Sequence, residues 1–186
     1  MTWQPKRQAI QRQIGVSLIE QLMVLAIIGV LLSVAVPSLH PLIARNELQT
    51  AQTDYIAALQ HARETAVTRG QRVVFCPSMD ATRCTGSTHW ESGWVLGVDA
   101  DHDNQPDGAP QYTGSSRSAR VAIRSSAGRQ LVRFQPDGSA GGSNLTLTFC
   151  STDPAAAALS VIISNSGRVR GAPASVEHGR ECSGRE

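Results

Sequence analysis

An α+β fold, with one long N-terminal helix followed by an antiparallel β-rich head, is predicted by three features of this sequence. An uncharged apolar run extends from Leu22 to Val36. After it, Leu48, Ala51, Tyr55, Leu59, Ala62 and Ala66 recur at steps of three and four, one stripe of an α-helix. Beyond Gly70 the pattern changes to short β-type runs separated by turn residues.

Residues 1–15 are polar and basic, with Lys6, Arg7 and Arg12 ahead of the apolar block. Val16–Val36 is 21 residues long. As a helix that stretch spans about 30 Å, the thickness of a bilayer core. Basic residues on its N-terminal side orient that end toward the cytoplasm. Three origins fit such a segment: a cleaved secretory signal, a plain membrane anchor, or a leader cut between Gly15 and Val16 with the helix retained. Glu20 separates them. A carboxylate inside an apolar helix is costly in lipid and marks function. Past Pro37 and Pro41 the second half of the helix begins, and a kink or short break is expected at 37–41. Arg45, Glu47, Asp54, Arg63 and Glu64 fall off its apolar stripe, and Gly70 is a natural stop.

The head's candidate strands are Arg72–Cys76, Trp94–Val98, Arg120–Arg124, Leu131–Gln135, Leu145–Phe149, Leu159–Ser164 and Arg168–Arg170. Pro136-Asp137-Gly138, Gly141-Gly142 and Asn165-Ser166-Gly167 punctuate them. The four cysteines, Cys76, Cys84, Cys150 and Cys182, are an even number behind an export-type N-terminus, which favours disulfides. Of the three pairings, the short spacing favours Cys76–Cys84, leaving Cys150–Cys182 to tie down the tail. Zinc held by Cys76, Cys84 and His89 is the competing reading, weakened by the lack of a CxxC knuckle. The net charge of +2 conceals an asymmetry: 71–110 has two Arg against six acids, and 111–186 has nine Arg against five.

The order Gly15-Val16-Ser17-Leu18-Ile19-Glu20, apolar run and Pro37 closely resembles the type IV pilin signature. The resemblance implies a peptidase that cuts after Gly15 and methylates the new amine. It also implies that Glu20, fifth in the mature chain, neutralises a neighbouring subunit's terminal amine during assembly. The usual first mature residue in that family is Phe, where this sequence has Val16. Arg69-Gly70, Val73 through Ser78, Cys84, Trp90, Gly93-Trp94, Asp99 and Gly167-Arg168-Val169-Arg170 together resemble the FimT and GspH minor pilins and pseudopilins. The organisation implied is a leader at 1–15, a transmembrane assembly helix at 16–39, an amphipathic helix at 40–70 and a disulfide-bonded head at 71–186. No cofactor is implied. The implied partners are other pilins, a prepilin peptidase and the bacterial inner membrane, with the head in the periplasm and then on a pilus.

Two functions remain open on that resemblance: a FimT-like minor pilin active in DNA uptake, or a GspH-like pseudopilin with a purely structural role in type II secretion. DNA-binding FimT proteins carry a GRxR motif at the position of Gly167–Arg170. In an extended strand Arg168 and Arg170 share one face about 6.6 Å apart, a spacing suited to successive phosphates of double-stranded DNA. Arg180 and Arg185 could extend that patch, and binding there would be independent of base sequence. Asp99, Asp101, Asp103 and Asp107 form an acidic run like a calcium loop. It departs from the EF-hand, which needs glycine at Asn104 and glutamate at Pro110. Trp90 could stack on a base, while Trp94 reads as core. The five histidines stand near no nucleophile motif, and no P-loop, HExxH or GxSxG occurs, so an enzyme is not expected.

Overall fold

A computed structural model describes residues 17–117, 119–152 and 156–184. The leader, the Gly15/Val16 cleavage site and Arg185 lie outside them. The chain divides into two compact units between Leu39 and His40.

Helix α1 (Leu18–Arg69) passes both Pro37 and Pro41 as one element, so the expected break does not occur. Ser17 opens it. Its Oγ and carbonyl both accept the Glu20 N–H, at 3.3 and 3.1 Å, and Ser17-x-x-Glu20 has the spacing of a capping box. Gly70 closes it at φ +62°, with the Gln71 N–H returning to the Ala66 carbonyl. In the first unit Leu18, Ile19, Leu22, Met23, Val24, Leu25, Ile27, Ile28, Val30, Leu31 and Leu32 are all exposed, around the whole circumference. Among the described residues no helix is long and apolar enough to cross a membrane. The run read as spanning, Val16–Val36, lies only partly within them.

In the second unit the expected stripe of α1 is buried. Leu48, Tyr55, Leu59, Ala62 and Ala66 are fully enclosed, and Ala51 almost so. Eight strands follow: β1 (Val73–Pro77), β2 (Trp94–Val98), β3 (Tyr112–Gly114), β4 (Val121–Ser125), β5 (Val132–Phe134), β6 (Leu145–Ser151), β7 (Leu159–Ile163) and β8 (Val169–Pro173). They form two four-stranded antiparallel sheets, in the orders β3-β2-β1-β5 and β4-β6-β7-β8. A short helix, α2 (Val176–Ser183), ends the described chain; Ser175 caps it by accepting the His178 N–H.

Strand β3 and helix α2 were not anticipated, and Leu131 and Gln135 fall outside β5. Tyr55 joins both sheets to α1. Its ring meets Phe75 and Phe149 edge-on at 5.9 and 5.3 Å, and its hydroxyl donates to the Trp90 carbonyl. Burial holds that phenol's pKa well above its usual value. Trp90 is fully buried and stacked on Phe75 at 5.7 Å, so it cannot stack on a base.

Candidate functional site

Strand β8 is the edge of the second sheet, hydrogen-bonded to β7 alone. Its side chains alternate. Val169, opposite Ile163, packs against the core, while Arg168 and Arg170 are exposed. The turn before it fixes this register. Ser164 holds Arg168 from both sides of its peptide, its N–H donating to the Arg168 carbonyl at 3.0 Å and its Oγ accepting the Arg168 N–H at 3.1 Å.

Both flanking glycines have steric causes. Gly167 has φ +76°, and a Cβ there would stand 1.8 Å from the Gly138 carbonyl oxygen. That oxygen also accepts from Arg63 Nε on α1, at 3.0 Å. At Gly171 a Cβ would press on Ile56 and Gln52 of α1, at 3.0 and 3.2 Å. Gln52 Nε2 in turn donates to the carbonyls of Ser160 and Ala172, at 2.8 and 3.2 Å. Packing therefore explains the glycines of Gly167-Arg-Val-Arg-Gly171, but it gives the two arginines no internal work.

Other arginines of the head are committed. Arg72 binds the buried Asp99, Arg117 binds Asp54 at 2.9 Å, Arg120 reaches Glu47 at 3.8 Å, and Arg124 holds Glu91 at 2.7 Å. Burial raises the pKa of Glu91, but hydrogen bonds from Arg124, its own N–H, the Ile123 N–H and His89 outweigh it and leave the carboxyl below its ordinary value. Among the described residues the Arg168 and Arg170 guanidiniums make no ion pair or side-chain hydrogen bond. Arg180 is exposed on α2 and has interactions of its own. That helix is tied to the second sheet by Cys150–Cys182, with Cα atoms 6.0 Å apart.

Cys76 and Cys84 are likewise joined, Cα atoms 5.5 Å apart, which leaves no thiolate for the zinc reading. Asp99, Asp101 and Asp103 converge, with ligand oxygens within 4.8 Å of one another; Asp107 is not part of that group. Their charge is already in use. Arg72 Nε binds Asp99 at 2.9 Å, the Asp103 N–H donates to Asp101 and the Gln105 N–H to Asp103. Asp107 accepts the Ala100 N–H. Sequence reasoning missed Ser17 as the cap of α1, though a serine just before an apolar helical run was its signal.

A long N-terminal helix whose second half packs into an antiparallel, disulfide-bonded head defines a type IV pilin-like protein. The profile of the family described as type II transport protein GspH matches residues 51–167, more than half of the chain, and the chain belongs to that family. Among solved structures, the minor pilin FimU of Pseudomonas aeruginosa is 24% identical, with a TM-score of 0.57 over 69% of this chain and 90% of that one. The minor pseudopilin EpsH of the Vibrio cholerae type 2 secretion system is 13% identical, with a TM-score of 0.50 over 68% and 97%. No curated protein sequence matches significantly. The chain is thus a GspH-family protein with a type IV pilin-like fold.

Proposed function

We propose that this chain is a minor type IV pilin whose head binds double-stranded DNA, without sequence preference, during DNA uptake. One observation carries the reading. Arg168, in the turn before edge strand β8, and Arg170 on that strand stand exposed, with no ion pair or side-chain hydrogen bond among the described residues, held in place by the packing of Gly167 and Gly171. Two exposed guanidiniums, one just before the strand and one on it, offer a pair of phosphate contacts.

Assembly runs through the other end of the chain. A helix apolar all round has no soluble face, so its first half demands lipid or the helices of neighbouring pilins. Prepilin peptidase cuts between Gly15 and Val16, the helix sits in the inner membrane with the head in the periplasm, and Glu20 meets a neighbour's terminal amine as the filament forms. N-terminal sequencing of the mature protein tests this step; a chain that starts anywhere but Val16 refutes it.

The DNA reading is tested with the full chain in neutral detergent micelles, by fluorescence anisotropy of a labelled duplex across a salt series. Wild type is expected to bind, and Arg168→Ala with Arg170→Ala to lose most of that affinity and about two units of salt slope. Wild type that fails to bind at low salt sinks the proposal. The second reading, a GspH-like pseudopilin of a type II secretion machine that touches only other pseudopilins, is favoured by the family match and by the likeness to EpsH.

A further inference from the structure

On the other sheet, the segment entering β5 meets the acidic loop around a polar cavity of about 460 Å³. Three separate stretches of chain line it: Ala127–Leu131 and Arg133, Ser143, and Asn104 from the loop after β2. No carboxylate is among these residues. The nearby acids are turned into their own loop, Asp101 and Asp103 accepting backbone N–H groups and Asp99 neutralised by Arg72.

The cationic side chains here lack an acceptor of matching charge. Arg133 lies on the face of β5 away from the core, since Val132 and Phe134 on either side of it are buried. Its Nε–H is buried and has no hydrogen-bond partner among the described residues. Its Nη1 reaches only the neutral Asn104 Oδ1, at 3.5 Å, an oxygen already shared with Arg72 at 3.3 Å. The guanidinium thus has no carboxylate to compensate its charge among the described residues, and an anion in the cavity would supply that compensation. Arg129 and Gln130 are exposed at the rim.

We infer that this cavity is a binding site for a phosphate-class oxyanion, held by Arg133 and Arg129, with the amides of Gln130 and Asn104 as further donors. Donors arriving from separate segments suit a tetrahedral anion better than a planar carboxylate, which one guanidinium satisfies alone. The site is distinct from the Arg168–Arg170 strand and does not depend on it. The phosphate could be free or could belong to a nucleic-acid backbone.

The test uses the full chain in neutral detergent micelles, titrated with inorganic phosphate at constant ionic strength. Binding is followed calorimetrically and by the Nε–H resonance of Arg133. Phosphate is expected to shift that resonance, with acetate at equal concentration leaving it unmoved. Arg133→Lys keeps the charge but loses the fork, and Arg129→Ala removes the second cation; each is expected to weaken phosphate about tenfold or more, with an unchanged melting temperature showing that the variant folds. No shift in wild type, or variants that bind as well as wild type, overturns the inference. A parallel duplex-binding arm identifies the source. Loss of DNA affinity in Arg129→Ala/Arg133→Lys, with Arg168 and Arg170 intact, assigns the site to nucleic-acid phosphate. Unchanged DNA binding alongside weakened phosphate binding assigns it to the free anion.

Discussion

Replacing Gly167 by alanine separates the structural part of the Gly-Arg-Val-Arg stretch from its proposed binding part. Any L-residue at φ +76° carries about 1–2 kcal/mol of left-handed strain. Alanine would also set its Cβ 1.8 Å from the Gly138 carbonyl oxygen, so one of the two backbones has to move by more than an ångström. Gly138 is not free to do so. Its oxygen accepts from Arg63 Nε and its N–H donates to the Gln135 carbonyl at 2.8 Å, and breaking either bond costs about 1–3 kcal/mol. The expected loss is therefore about 2–5 kcal/mol, or roughly 10 °C in Tm for a chain of this size.

Gly142 is the internal control. Its φ of +80° is almost the same, but a Cβ added there would meet nothing within 4 Å, so Gly142→Ala should cost only the strain of about 1–2 kcal/mol. Arg168→Ala with Arg170→Ala should leave stability within about 0.5 kcal/mol, as exposed substitutions do. The assay is thermal unfolding of the full chain in micelles, followed by near-UV circular dichroism of the buried Trp90 and Trp94. Gly167→Ala melting together with Gly142→Ala would refute the packing argument. An arginine double variant that melts with Gly167→Ala would show that the guanidiniums are structural after all.

Three further outcomes are expected. Arg72→Met should destabilise by about 3–5 kcal/mol, because Asp99 is left fully buried without its partner; Arg72→Met with Asp99→Leu should recover most of that in urea unfolding. Removing Cys150–Cys182, which closes 32 residues, should cost about 3–4 kcal/mol, and removing Cys76–Cys84, which closes 8, about 2–3, so the order of the two midpoints checks the chain-entropy account. The depressed carboxyl of Glu91 binds fewer protons folded than unfolded. Its contribution to stability is present above the ordinary value of 4.5 and is lost as pH falls through the lower folded value. Glu91→Gln should flatten the pH dependence of the melting temperature in that window.

The parts of this fold legible in the sequence were those written in periodicity. The stripe from Leu48 to Ala66 repeats at 3.6 residues, and the strand Trp94–Val98 was found at its observed limits because Gly93 and Asp99 bound an apolar run. The misses came from tertiary override. Tyr112–Gly114 is three residues long and carries no alternation; it is a strand only because β2 offers Leu96, Val95 and Trp94 as partners. Val176–Ser183 contains Gly179 and few strong helix formers, and a disulfide with a capping serine supplies what propensity does not. At Pro37 and Pro41, where a kink or short break was expected, the helix continues without a break.

Charge is where a residue count says least about the surface. Nine arginines lie beyond residue 110, against five acids. Arg117 and Arg120 tie the β3–β4 connection back to Asp54 and Glu47 of α1, and Arg124 supports Glu91. Each of these pairs neutralises a cation that a count treats as available for a ligand. Long-range attraction follows the uncompensated charge and not the total, so the useful field of this head comes from the few guanidiniums that packing leaves unmatched. Arg168 and Arg170 are unmatched on the edge of one sheet, and Arg133 is under-matched beside the other. A variant that removes Arg117 should therefore loosen the head, while one that removes Arg168 or Arg133 should change what it binds; measuring stability and anion affinity on the same set of variants tells the two classes apart.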